Sequence, residues 1–173
     1  MVSQTLSPLS PTLLPVVAGN GGESGRSANG HGTDPAWAAK IGEPAPSLKF
    51  RDLSGRAVTL KKLRGRRTLL LFWNPECGFC QQTLNDLRAW EHDKPPGAQE
   101  LLVVSTGTTE ANRAMNLRSR VVLDTNFRAG STFGANGTPM AILLDPDGRV
   151  AFEVVAGAAA VFGLATFRSQ PPG

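Results

Sequence analysis

Residues 67–90 read RTLLLFWNPECGFCQQTLNDLRAW, and this stretch decides the fold. Leu69, Leu70, Leu71 and Phe72 form an unbroken apolar run, the pattern of a strand covered on both faces. After Pro75, which cannot continue a strand ladder and suits the approach to a helix start, the period changes from two to 3.6. Cys80, Leu84 and Leu87 then recur at helical spacing, with Gln81, Gln82, Asn85 and Arg88 turned to the other side. The stretch predicts a buried strand, a sharp turn and an amphipathic helix opening at Cys77. Two thiols three residues apart at such a turn can close into a small disulfide ring or open to a dithiol. Cys77 faces free backbone N–H groups and the positive end of the helix dipole, both of which favour its thiolate.

The segment Trp73-Asn-Pro-Glu-Cys-Gly-Phe-Cys80 resembles the active-site turn of the thioredoxin superfamily, and the wider pattern is similar to TlpA-like thiol–disulfide oxidoreductases. Three separated stretches carry the likeness. Gly42-Glu-Pro-Ala-Pro46, with Asp52-Leu-Ser-Gly55 and Leu63-Arg-Gly65, resembles the family's N-terminal hairpin. The Cys-x-x-Cys turn follows the first core strand. Phe133-Gly-x-x-Gly-Thr-Pro-Met140, then an apolar strand and Asp145-Pro-Asp-Gly148, resembles the proline loop and closing hairpin. The resemblance spans roughly residues 41–167 and implies an α/β, thioredoxin-like fold: a central mixed sheet flanked by helices, extended by the N-terminal hairpin.

It also implies roles. Cys77 would be the nucleophile and Cys80 the buried resolving thiol. Thr138 and a cis Pro139 would face the pair and offer backbone hydrogen bonds to a substrate strand. Trp73 would shield the rim, with a core tryptophan at a strand end as the plainer reading. Gly78 and Phe79 occupy the dipeptide that is Gly-Pro in thioredoxin, so the turn is less constrained. Leu71 stands where many thioredoxins carry a buried acid. The expected activity is thiol–disulfide exchange on protein substrates, reduction favoured, with electrons from a redox partner protein and no bound cofactor. The resemblance further implies a monomer outside the cytoplasm, with a membrane tether outside this sequence; a cytoplasmic protein is the alternative.

Competing chemistry fits less well. A zinc site wants four ligands, and His31 and His92 have no ligand spacing to the cysteines. A copper-delivery protein of this fold would use both thiols and a downstream histidine; His92 closes the helix on the wrong side, and Met140 suits core packing. A peroxiredoxin would show Pro-x-x-x-Thr-x-x-Cys, but Leu70 and Asn74 hold the proline and threonine positions. No metal ligand is therefore assigned.

The chain has 173 residues and only two cysteines, too few for a structural disulfide framework. Residues 1–39 are expected to be a flexible tail and 40–173 one domain: Ser, Pro and Gly supply 15 of the first 36 residues and no periodicity survives there. No run of apolar residues is long enough to span a membrane, and the N-terminus lacks a basic region for a signal peptide. The net charge is +4. Its one dense cluster, Lys61, Lys62, Arg64, Arg66 and Arg67, reads as a solvated hairpin edge, with a docking patch as the alternative, and carries no nucleic-acid motif. Beyond the catalytic helix, alternation predicts strands over 101–104, 121–123, 140–144 and 149–155. Thr108 is expected to cap a helix over 110–117 with Ala111, Ala114, Met115 and Leu117 inward, and an Ala-rich helix to run over 158–167.

Overall fold

A computed structural model describes residues 39–167. The tail expected over 1–39 lies, except for Ala39, outside the described residues, as do residues 168–173. Seven strands and four α-helices follow one another: β1 Lys49–Asp52, β2 Ala57–Thr59, β3 Thr68–Trp73, α1 Gly78–His92, β4 Glu100–Ser105, α2 Thr109–Ala114, β5 Arg120–Leu123, α3 Arg128–Thr132, β6 Met140–Leu144, β7 Val150–Ala156 and α4 Ala158–Thr166. They build one mixed sheet in the order β2-β1-β5-β4-β3-β6-β7.

Strand β3 lies at the heart of the sheet because its side chains can be buried on both faces; all six of its residues are. It pairs in parallel with β4 and antiparallel with β6, so Leu71 sits between Val103 and Ala141. Alternation sorts its side chains into two cores. Leu70 and Phe72 point to the face closed by the N-terminal hairpin and by Ala129 and Phe133 of the α3 region. Leu69, Leu71 and Trp73 point to the face closed by α1 and α4, through Leu87, Val161 and Leu164. Phe72 is fully buried and edges onto Phe127, ring centroids 6.1 Å apart.

The hairpin β1–β2 joins the sheet by pairing β1 with β5, Arg51 opposite Leu123. Its turn is closed by Asp52, whose Oδ1 accepts from the Ser54 hydroxyl at 2.6 Å and from the backbone N–H groups of Ser54 and Arg56, both at 2.9 Å. These bonds, the Ser54 hydroxyl first, hold the Asp52 carboxyl well below the ordinary carboxylate range despite its partial desolvation. A depressed folded-state pKa stabilises the fold above the unfolded value of about 4, and that stabilisation is lost as the pH falls below it toward the folded value. Asp52→Asn is therefore expected to lower the thermal midpoint at neutral pH and to flatten the loss of stability on acidification. Thermal unfolding followed across the acid range measures both.

Two expectations are corrected. Helix α2 runs over Thr109–Ala114 instead of 110–117; Thr108 does cap it, accepting from the Ala111 N–H at 3.1 Å. The buried face of α2 is carried by Asn112, while Ala114 is exposed and Met115 is buried just past the helix end. The Asn112 side-chain amide donates to the carbonyls of Thr106 and Thr108, which turns that side inward, and the chain leaves the helical region at Asn116, with φ 49°. Arg88, placed on the side of α1 away from the apolar stripe, reaches the Met115 carbonyl from there with two guanidinium N–H groups, at 2.9 and 2.7 Å. No helix among the described residues is long and apolar enough to cross a membrane.

Candidate active site

The site is built where β3 ends and α1 begins. Cys77 is the N-cap of α1, with extended φ/ψ, and its carbonyl accepts the first helical bond from Gln81 N–H at 2.9 Å. The helix therefore opens one residue after Cys77 and leaves its first N–H groups over that sulfur. The turn between strand and helix is closed by short bonds from its own residues. Asn74 accepts at its carbonyl from Cys77 N–H (3.1 Å) and at its side chain from Glu76 N–H (2.9 Å), and Gln81 donates its amide to the Pro75 carbonyl (3.0 Å).

The third wall comes from far along the chain. The Thr138–Pro139 peptide is cis, and the Cys77 thiol lies 3.4 Å from the Thr138 carbonyl, donating to it. This bond joins residues 61 positions apart and brings the proline loop onto the Cys-x-x-Cys turn. Behind the turn, the loop after β4 presses close: a Cβ on Gly107 would meet Pro75 Cγ at 3.0 Å, and Gly107 has φ +83°, so a side chain there would crowd the proline and strain the backbone. Thr106 N–H donates to the Trp73 carbonyl at 3.0 Å, while Asn112 holds the same loop from beneath. Sequence reading missed Gly107 and Asn112. Their signal was weak: a glycine after a strand, and a polar residue where an apolar inner face was expected.

The two thiols are free and differ sharply in surroundings: Cys77 is half-buried and Cys80 is 0% exposed. Burial alone would push the Cys77 thiol up. It is outweighed by the backbone N–H of Cys80, the Thr138 side chain and the backbone N–H of Phe79, so the net direction is down. For Cys80 burial prevails and pushes the thiol up to about 11; backbone contact at Asn74 and the Thr138 side chain oppose this without reversing it, and the Cys77 charge adds to it.

The remaining predicted residues fall in different places. Phe79, between the cysteines, is 72% exposed. Gly78 has open space where a side chain would stand. Trp73 is 1% exposed and belongs to the core cluster that holds Cys80 and against which Cys77 packs, the plainer of the two readings. Leu71 is equally buried, and no acid replaces it at that position. His92 ends α1 and contacts Asp93, the length of a 15-residue helix away from the cysteines. Among the described residues, no three His, Cys, Asp or Glu side chains converge as a metal-binding group.

The fold and this turn define a thioredoxin-like protein carrying a Cys-x-x-Cys pair. The chain belongs to the AhpC/TSA family, whose model matches residues 41–153. Within that family it lacks the peroxidase pattern, since Leu70 and Asn74 stand in for its proline and threonine. Among curated relatives, the thiol-disulfide oxidoreductase ResA of Bacillus subtilis is 26% identical over 122 residues, 67% of this chain and 67% of that protein. The methylamine utilization protein MauD of Methylobacillus flagellatus is 29% identical over 126 residues, 69% of this chain and 57% of that protein. Among solved structures, the thioredoxin domain of a thiol-disulfide oxidoreductase from Bacteroides vulgatus aligns with TM-score 0.58 and 22% identity, over 75% of this chain and all (100%) of that one. A secreted disulfide oxidoreductase of Mycobacterium tuberculosis, described as homologous to E. coli DsbE, aligns with TM-score 0.56 and 20% identity, over 69% of this chain and 92% of that one.

Proposed function

We propose that this oxidoreductase carries out thiol–disulfide exchange on protein substrates, with Cys77 as nucleophile, Cys80 as resolving thiol and reduction of the client as the working direction. The observation that carries the reading is the contrast between the two thiols: Cys77 half-buried at the helix N-cap and favoured as thiolate, Cys80 fully buried three residues on and disfavoured.

The steps follow from that contrast. The Cys77 thiolate attacks one sulfur of a client disulfide; a new S–S bond forms, the client's own bond breaks, and a client thiolate leaves. While Cys77 is ionised its charge helps to keep Cys80 protonated. Once Cys77 is tied up in the mixed disulfide that charge is gone, and Cys80 gives up its proton more readily. Since Leu71 provides no acid to relay that proton, the released client thiolate is the natural acceptor. The Cys80 thiolate then attacks Cys77 Sγ, the Cys77–client bond breaks, and the second client sulfur leaves as a thiolate. The enzyme is left as the Cys77–Cys80 disulfide, the client has gained two electrons from the pair, one proton from Cys80 and its second proton from solvent, and a dithiol partner protein restores the starting state.

No bound cofactor enters these steps. The Thr138 carbonyl beside Cys77 supports a role for Thr138 and Pro139 in aligning a client strand. Exposed Phe79 and the open space at Gly78 support a place for both on the contact surface. A location outside the cytoplasm is in keeping with the description of the Mycobacterium structural neighbour as secreted.

Two measurements test the reading. In the presence of a thiol donor, the protein is expected to accelerate insulin reduction well above the donor alone; a rate equal to the donor's would reject exchange. Equilibration in glutathione buffers gives the potential of the couple. A midpoint near thioredoxin's, about −270 mV, fits a reductant, whereas one near about −120 mV would reverse the direction.

A further inference from the structure

At the pole of the sheet away from Cys77, the N-terminal ends of β3, β4 and β5 open into a groove of about 950 Å³. Thr68, Glu100 and Arg120, the first residues of those three strands, all line it. Cys77 lies beyond the other end of β3, and six strand residues at about 3.3 Å each put the two places roughly 20 Å apart.

Eight Lys and Arg side chains and three carboxylates line this groove, a net of +5 against +4 for the whole chain, so all residues outside it together carry −1. The carboxylates are already engaged. Asp52 pairs with Arg56 at 3.1 Å; Glu100 pairs with Arg66 at 2.8 Å and Lys94 at 3.7 Å. Glu91 accepts with its two oxygens from the backbone N–H groups of Arg118 and Ser119, at 2.9 and 3.0 Å. Lys62, Arg64, Arg118 and Arg120 are exposed and have no carboxylate partner among the described residues, and Arg113 donates to the Leu53 carbonyl. Leu53, Leu63 and Leu117 provide half-buried apolar surface between them.

We infer that this groove is a docking surface for an acidic polypeptide segment of a partner protein, bound while the Cys77 face stays free. Four observations choose that occupant. Guanidinium groups set around a concavity match carboxylates bidentately. The helices that reach the groove do so through Glu91, in the last turn of α1, and through Asn112 and Arg113, at the end of α2; no helix N-terminus lines it to cradle a phosphate. Among the described residues, no aromatic side chain lines it to stack a base. A concave wall with leucines between the cations suits a chain of mixed acidic and aliphatic residues better than a flat bilayer. Such docking would hold a partner beside the enzyme and raise its effective concentration without obstructing exchange. The inference rests on the groove alone, so its test is a binding measurement, independent of turnover.

The probe is a fluorescein-labelled peptide of alternating glutamate and leucine, followed by anisotropy with the full-length protein at low salt. The triple variant Arg64→Gln, Arg118→Gln, Arg120→Gln is expected to bind it roughly tenfold more weakly. The control triple Lys49→Gln, Lys61→Gln, Arg128→Gln makes the same charge change outside the groove and is expected to bind as the parent does. Alkylation of Cys77 should leave binding unchanged. Equal weakening by both triples would reduce the effect to diffuse charge and overturn the site. So would absence of peptide binding, or groove-dependent binding of phosphatidylglycerol vesicles or single-stranded DNA in preference to the peptide.

Discussion

Cys77→Ser should bring disulfide exchange down to the uncatalysed rate, while Cys80→Ser should leave the first attack intact and stop the reaction halfway. A serine hydroxyl at position 77 forms no mixed disulfide, and its removal leaves Cys80 as the only thiol of the chain. Cys80 is 0% exposed and raised to about 11, so it cannot take over. With Cys80 changed, Cys77 keeps the backbone N–H groups of residues 79 and 80 that favour its thiolate. Attack therefore proceeds, but no internal thiol displaces the client, and the covalent complex accumulates. Non-reducing electrophoresis of a client mixture followed by mass spectrometry reads this directly. Covalent complexes with Cys77→Ser and none with Cys80→Ser would exchange the two roles. Robust insulin reduction by Cys77→Ser would remove the mechanism.

The local architecture around these cysteines was legible because the sequence changes its period there. Four apolar residues in a row, then Pro75, then apolar positions at helical spacing leave little room for another reading of 68–92. Thr108 and the turn at Ser54-Gly55 were legible for the same reason: each is a local signal with a local partner, the Ala111 N–H in one case and Asp52 in the other. Elements fixed by distant partners were not legible. Helix α2 is short because Asn112 answers to the loop carbonyls of residues 106 and 108, which no periodicity reveals. Trp73 follows an odd–even alternation that buries it with Leu69 and Leu71, but only the position of α1 over that face completes the core around it.

The basic groove shows the limit most clearly. Along the chain only the run from Lys61 to Arg67 stands out, and it reads as an ordinary solvated edge. In space, Lys62, Arg64 and Arg66 of that run meet Arg56 from the hairpin, Lys94 from the end of α1, and Arg113, Arg118 and Arg120 from around β5, while Lys61 and Arg67 fall outside the lining. Four separate segments supply the charge. Their convergence depends on β1 pairing with β5, a contact between residues some 70 positions apart that the sequence does not announce.

Alkylation of the reduced protein should label Cys77 far ahead of Cys80 at neutral pH, and the two should approach each other only in strongly alkaline solution. The thiolate is the reacting species. Cys77 lies below the ordinary thiol value and Cys80 is pushed up to about 11, so at neutral pH Cys77 holds much the larger ionised fraction. Part of that advantage is lost because a more basic thiolate is intrinsically the better nucleophile, but a Brønsted slope of about 0.45 takes back less than half of it on a logarithmic scale. Selectivity for Cys77 therefore remains from ionisation alone. Burial adds to it, since Cys80 is 0% exposed within the same core cluster as Trp73 and Leu87. As pH rises, Cys77 labelling should level off first, once its thiolate is fully formed, while Cys80 labelling should still climb beyond pH 9. Peptide mapping of each cysteine after short exposure to iodoacetamide measures the two curves. Parallel curves would mean that the helix start does not tune Cys77, and a plateau for Cys80 at the lower pH would assign the nucleophile to the wrong sulfur.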